Sequence, residues 1–485
     1  MMGRAVAISA TRLMNYGLLL ISPMVLVRLL SEQDFGRYRE FLVYSTLFAG
    51  IAAFGINSSL LKFVPGDPAA KWRYVFQANL MTLASSVIVT AAMLLANLLF
   101  KGELVGEYAV PVALYVLVAV NLDFWEFLWL AEKYSTAVLR YTTARLVARI
   151  VVVIGAAAST RDVTTIVYAL IGLEAVRLAI SAIAWRSCVR RSAHGTTGSW
   201  REQWKYCLPF GSAMVAVSIS KSIAPMFVAK MMGPAALAQY AIGTYLQPVV
   251  NVVRNSLSDV VLPEMSSKAG QPQNEPLRLW QRTSVVTAIF MFPITVLLAR
   301  FAETLIVTLF SDTYLPAVPV FQIYLLVFLR ETIDFGVPLR AINRNAPILH
   351  STSLSIAVRL VLLVLASPIW GLVGAVTAVV IARFVEGSYL AARLARAYDE
   401  SLRSLVPWWE LFKILAAAVF AGAVIYPDFW TKQLGFFGII PASALYLVLF
   451  VLFLSRLKIP EVSVLLSRLR DHASGWLHAT GDRLQ

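Results

Sequence analysis

Residues 22–38 read SPMVLVRLLSEQDFGRY and residues 224–240 read APMFVAKMMGPAALAQY. An offset of 202 lays Pro23 on Pro225, Met24 on Met226, Arg28 on Lys230 and Tyr38 on Tyr240. The correspondence continues along the chain at nearly the same offset. INSSLLKFVP at 56–65 faces RNSLSDVVLP at 254–263, LDF at 122–124 faces IDF at 333–335, and ARIV at 148–151 faces VRLV at 358–361. Each match is weak alone, but their common order implies an internal repeat. An even number of membrane crossings per copy keeps both copies in the same orientation, related by an axis along the membrane normal.

The solvent is set by composition. A 485-residue chain that is 59% hydrophobic and only 14% charged lies outside the range of soluble domains. Apolar runs long enough to cross a hydrocarbon layer of about 30 Å recur throughout. The net charge of +15 sits in short connectors, without the aromatic-interleaved stripe of a nucleic-acid binder, so no nucleic-acid partner is expected. Two cysteines and four histidines make no metal site, no GxxxxGK[ST] loop is present, and no catalytic constellation is visible. No cofactor is expected, and the chain does not read as an enzyme.

Runs bounded by charge, Gly or Pro predict an all-α polytopic membrane protein of about fourteen helices. The expected spans are 7–30, 40–63, 75–99, 108–131, 142–159, 163–186, 206–231, 237–262, 282–305, 316–340, 346–366, 370–393, 409–426 and 434–456. Six and six would form two parallel lobes, 1–190 and 206–400, joined by a linker at 191–205 that contains RRSAHGTTGSW. Helices 13 and 14 fill 401–457. The tail 458–485 is read either as solvated or as an amphipathic helix on the membrane surface. Connectors alternate in charge, with Lys71, Arg73, Lys133, Arg140, Arg190, Arg191, Arg393 and Arg396 on one side, which places both termini in the cytosol of a bacterial inner membrane. Trp72, Trp200, Trp204, Trp280, Trp408 and Trp409 fall at span edges and read as interface anchors.

Charges inside spans are costly and mark bundle interiors or wet cavities. Lys221 and Ser218 share a polar stripe with Ser222 and Pro225. Arg254 lies one turn from Asn251 and beside Asn255, and Arg12, Asn15 and Tyr16 form a similar stripe in the first span. With Asn57 these residues suit an anion site, since Lys and Arg offer charge-assisted hydrogen bonds; interior ion pairing or snorkelling is the competing reading. Asp123, Glu126, Glu331 and Asp334 cluster in spans 4 and 10, where carboxylates serve ion coupling or neutralise arginines. Glu174 with Arg177, and Arg383 with Glu386, exchange signs at an offset of 209, as expected for structural i, i+3 pairs.

The segment RLLSEQDFGRYREFLVYSTLFAGIAAFGINSSLLKFVP at 28–65 resembles the start of Wzx-type polysaccharide flippases of the multidrug/oligosaccharidyl-lipid/polysaccharide exporter superfamily. MMGPAALAQYAIGTYL at 231–246 fits the second-half equivalent. The resemblance covers roughly the first 400 residues. It implies a V-shaped bundle that moves an undecaprenyl-diphosphate-linked oligosaccharide across the membrane, partnered by glycosyltransferases and a polymerase. It also implies cations on helices 1, 2, 7 and 8, where helix 2 here offers only Asn57 at depth and Lys62 near its end. An organic-cation antiporter of the same superfamily and a non-catalytic partner of a polysaccharide synthase are the alternatives.

Overall fold

The computed structural model describes residues 20–192, 200–267, 274–425, 429–430, 435–457 and 462. Among these the regular structure is entirely helical. Among the described residues eight helices are long and apolar enough to cross a membrane, or nine when the bent pair Glu32–Ala53 and Ile56–Gly66 counts as one span. Two of the eight, Trp200–Gly243 and Ala346–Tyr398, hold 44 and 53 residues and are interrupted at Gly233 (φ 87) and Gly371 (φ 55). At 1.5 Å per residue they run about 66 and 80 Å, twice a membrane's hydrocarbon thickness. The protein is a multi-pass membrane protein.

The chain divides into two compact units, residues 1–241 with 360–375, and residues 242–359 with 376–485. The first contains α1 (Leu20–Leu29), α2 (Glu32–Ala53), α3 (Leu60–Gly66), α4 (Lys71–Leu99), α5 (Ala109–Val120), α6 (Trp125–Ala131), α7 (Ser135–Thr160), α8 (Val163–Ser192) and nearly all of α9 (Trp200–Gly243). The second contains α10 (Gln247–Ser267), α11 (Asn274–Arg300), α12 (Ala302–Leu309), α13 (Ala317–Glu331), α14 (Gly336–Ala341), most of α15 (Ala346–Tyr398), α16 (Leu402–Leu405), α17 (Trp408–Val424) and α18 (Ile439–Arg456).

The opening motif is explained residue by residue. Ser31 caps α2, its hydroxyl accepting from the Asp34 amide at 3.1 Å, and it donates to the Asp34 carboxylate at 2.6 Å. This is a reciprocal cap with acids in the first turn, where the helix dipole favours them. Phe35 and Tyr38 are buried. Gly36 lies directly against the Pro234 carbonyl, so a Cβ there has no room. Gln239 donates to Glu32 at 2.7 Å. The two copies of the repeated motif therefore meet each other within the first unit.

Several expected spans are broken or shifted. The second begins at Glu32 rather than 40 and breaks at Phe54 and Gly55, both left-handed. The fourth breaks between α5 and α6, the tenth between α13 and α14, at LDF and IDF. Apolar periodicity does not register such breaks, because the flanking residues are as apolar as a continuous helix. α8 runs to Ser192 and α9 starts at Trp200, and the residues between them lie outside the described ones. Asp162 caps α8, taking hydrogen bonds from the Thr165 amide (2.8 Å) and hydroxyl (2.9 Å), which hold its carboxyl below the usual range.

Leu, Ile and Phe are exposed along α4, α17 and α18, the surface of a chain whose solvent is hydrocarbon. Helices in lipid associate by close packing and polar bonds rather than by burial from water. α17 accordingly meets α11 through small residues: Ala418 and Ala421 are fully buried, and a Cβ on Gly422 would come within 2.7 Å of Val296.

Candidate functional site

Two polar clusters lie at the breaks between α5 and α6 and between α13 and α14, one in each unit. In the first, α5 ends at Val120 and the chain turns through Leu122 in a left-handed conformation. A helix ending inside a membrane leaves carbonyls that water cannot satisfy. Arg177 of α8 supplies the donors. Its Nη2 donates to the carbonyls of Val118 (2.6 Å), Ala119 (2.8 Å) and Asn121 (3.1 Å), and its Nη1 to Leu122 (3.3 Å). A cation at a helix C-terminus also complements the dipole. The same guanidinium places Nε 2.7 Å from Glu174, which is 3% exposed.

Arg145 of α7 closes the ring. Its Nη1 lies 3.0 Å from Asp123 and its Nη2 3.1 Å from Glu174, and Arg177 reaches Asp123 at 3.5 Å. Two arginines and two carboxylates form a cluster with no net charge. Asn57 follows the break in α2 and donates to the Asp123 carbonyl at 3.1 Å, tying one broken helix to the other. Glu126, half-buried one turn beyond Asp123, makes no ion pair among the described residues.

The second cluster is built differently around the same tripeptide. Asp334 caps α14 itself, its Oδ1 accepting from the Gly336 amide at 2.9 Å. Its other oxygen takes a hydrogen bond from Ser258 (3.1 Å) and lies 3.5 Å from Arg340. The Thr332 hydroxyl donates to the Phe328 carbonyl and the Trp280 indole to the Asp334 carbonyl, both at 2.9 Å. Trp280 is therefore a buried hydrogen-bond donor, not the interface anchor its place at a span edge implied. Glu331, almost fully buried, pairs with Arg254 and has Arg330 at 4.0 Å. Arg330 donates to the Arg383 carbonyl at 3.0 Å, and Arg383 pairs with Glu386 at 3.0 Å. Four arginines thus surround three carboxylates.

A cavity of about 30 Å³, room for a single water, adjoins this cluster and is lined by Arg254, Ser258, Thr283, Thr287, Thr332 and Asp334. Arg254 Nε is buried there without a hydrogen-bond partner among the described residues. Among the described residues no group of three His, Cys, Asp or Glu can hold a metal ion.

The remaining predicted residues are dispersed. Lys221 is exposed on α9 and Ser222 is buried. The Ser218 hydroxyl donates to the Met214 carbonyl at 3.0 Å and packs against Gly50 of α2. Arg12, Asn15 and Tyr16 lie outside the described residues, as do the side chains of Asn251 and Asn255. Sequence reasoning missed Arg145. The available signal was Arg145 with Arg149, one helical turn apart in an otherwise apolar span.

The family model described as "Polysaccharide biosynthesis protein" matches residues 25–319. The chain belongs to that family. No curated protein sequence matches it. Among solved structures the chain is similar to the lipid II flippase MurJ in an inward closed conformation, with 14% identity, a TM-score of 0.62, and coverage of 94% of this chain and 100% of that one. It is also similar to a MOP superfamily transporter from Pyrococcus furiosus, with 15% identity and a TM-score of 0.54 over 82% of this chain and 96% of that one. A mutant of the Vibrio cholerae MATE transporter VcmN matches with 16% identity and a TM-score of 0.50, over 82% and 98%. At these identities the likeness is one of fold.

Proposed function

We propose that this protein is a flippase that moves a polyprenyl-diphosphate-linked oligosaccharide across the cytoplasmic membrane by alternating access. The observation that carries the reading is the arginine excess around Asp334 and Glu331, which suits a diphosphate headgroup and disfavours an organic cation. Membership in a polysaccharide biosynthesis family and the likeness of fold to a lipid II flippase support it. In this reading fourteen helices form two parallel six-helix repeats plus two, with both termini cytosolic. Arg254 and Lys221 meet the diphosphate, with Arg12, Asn15, Tyr16, Asn251 and Asn255 completing the polar lining. Glu174, Arg177, Arg383 and Glu386 hold structure. Ion coupling belongs to Asp123, Glu126, Glu331 and Asp334; Asp123, Glu331 and Asp334 are released when their ion pairs open, while Glu126 has no pair to lose among the described residues.

Deletion of the gene tests the proposal. The expected result is loss of surface polysaccharide, with lipid-linked oligosaccharide accumulating in the cytosolic leaflet and unchanged susceptibility to cationic drugs. Drug hypersensitivity with normal surface glycan would replace the flippase by an antiporter. Lost glycan without accumulated lipid-linked precursor would point to a partner of the synthase.

A further inference from the structure

The break in α2 opens a second cavity, far less polar than the first. Phe54 (φ 45) and Gly55 (φ 59) turn the chain out of the line of α2. The gap left between α4 and the first turns of α9 has a volume of about 370 Å³, within the range of ligand pockets. Phe54, Leu80, Ala84, Ile88, Trp200 and Trp204 line it. Leu80, Ile88 and both tryptophans are exposed, so the groove opens on the same surface as the lipid-facing ridge of α4. Phe54 forms its floor, stacked on Trp204 with ring centroids 6.3 Å apart.

What occupies it follows from depth and charge. α9 begins WREQWK, which places Trp200 and Trp204 on the groove and the exposed Arg201 and Lys205 beside them. Lys62 adds a third cation over the Tyr206 ring at 4.6 Å, against the single exposed acid of this turn, Glu202. Tryptophan with Lys and Arg at a helix start marks a membrane interface, where cations attract anionic headgroups. The helix N-terminus adds its positive dipole end. From Leu80 to Ile88 the groove runs about 12 Å along α4, close to the depth of one leaflet and short for a long polyprenyl chain.

We propose that this groove seats one acyl chain of an anionic phospholipid, with its phosphate over Arg201 and Lys205. The chain fills a space that would otherwise be void and braces Phe54 at the break of α2. The inference stands independently of the transported substrate.

The test uses the full-length protein in mild detergent with phosphatidylglycerol carrying a diazirine on its acyl chain, and adducts mapped by peptide mass spectrometry. Adducts should concentrate at 80–88 and 200–204, saturate, and be competed by unlabelled phosphatidylglycerol better than by phosphatidylcholine. Ala84→Trp, which fills the groove, should remove these adducts and leave those on α17 and α18 unchanged. Ile88→Trp gives the same test should the first variant fold poorly. Arg201→Gln and Lys205→Gln should each weaken competition by phosphatidylglycerol about fivefold. Labelling spread evenly over the lipid-facing helices, or insensitive to these substitutions, overturns the proposal. Displacement of the label by undecaprenyl phosphate but not by phosphatidylglycerol also overturns it, assigning the groove to a polyprenyl lipid.

Discussion

The tripeptides LDF at 122–124 and IDF at 333–335 each interrupt a helix, yet the two breaks are satisfied by different means. At the first, the exposed carbonyls of α5 are taken by a side chain from another helix, Arg177, and the surrounding charges cancel. At the second, the Asp334 carboxylate accepts locally from the Gly336 amide, the Asp334 carbonyl is met by the Trp280 indole of α11, and the nearby arginines outnumber the carboxylates they pair with. A break held by a remote, charge-balanced ring is a structural joint. A break met by an indole and its own carboxylate leaves its arginines for other work. The general lesson is that breaks at similar tripeptides can be satisfied by different partners, a guanidinium at one and an indole with a local carboxylate at the other.

The most severe way to break this comparison is Arg177→Ala. It leaves the buried Glu174 with Arg145 alone and orphans the α5 carbonyls, so a loss of about 3–5 kcal/mol is expected in detergent unfolding. Arg383→Ala removes a more exposed pair and should cost about 1.5–3 kcal/mol. Equal losses would erase the distinction between the clusters. Next comes transport. Arg254→Ala and Lys221→Ala should abolish glycan export while membrane-inserted protein persists, whereas Arg145→Ala should lower the amount of protein itself, read by blotting beside a surface-glycan assay. Export at the normal level from an Arg254→Ala, Lys221→Ala double variant would remove the anion-site proposal.

Gly36→Ala tests the contact between the two copies of the opening motif. Overpacking against the Pro234 carbonyl should cost about 1–3 kcal/mol, measured by the shift in the thermal midpoint. The smallest effect belongs to Asp334. Asp334→Asn gives up the exposed partner Arg340 and the hydrogen bond from Ser258 and should cost about 0.5–1.5 kcal/mol, while Asp123→Asn, between two arginines, should cost about 1.5–3 kcal/mol. The reverse ranking would show that the second cluster, not the first, is the joint.

The fold's membrane character was legible in sequence because apolar length has a local physical signature. The positions of Asp123, Asp334, Glu174 and Arg177 were legible for the same reason: a charge in an apolar span stands out. Three features were not. The breaks at Phe54, Leu122 and Ile333 occur in runs that read as unbroken helix, and at the last two the donors, Arg177 and Trp280, come from elsewhere in the chain. Trp280 at a span edge reads as an anchor until its indole is found on the Asp334 carbonyl. Asn57 reads as a cavity-lining residue by depth alone, yet it bonds to the backbone at a neighbouring break.

The central claim is that an anionic, lipid-linked sugar is carried through a site that includes Arg254. Purified protein in liposomes, given a labelled polyprenyl-diphosphate oligosaccharide in one leaflet, tests it by the rate at which a membrane-impermeant sugar-modifying enzyme gains access to the label. The account predicts accelerated access with the native chain and loss of that acceleration with Arg254→Ala, the variant being folded and inserted. Access no faster than in protein-free liposomes, or equal acceleration by the variant, would contradict it.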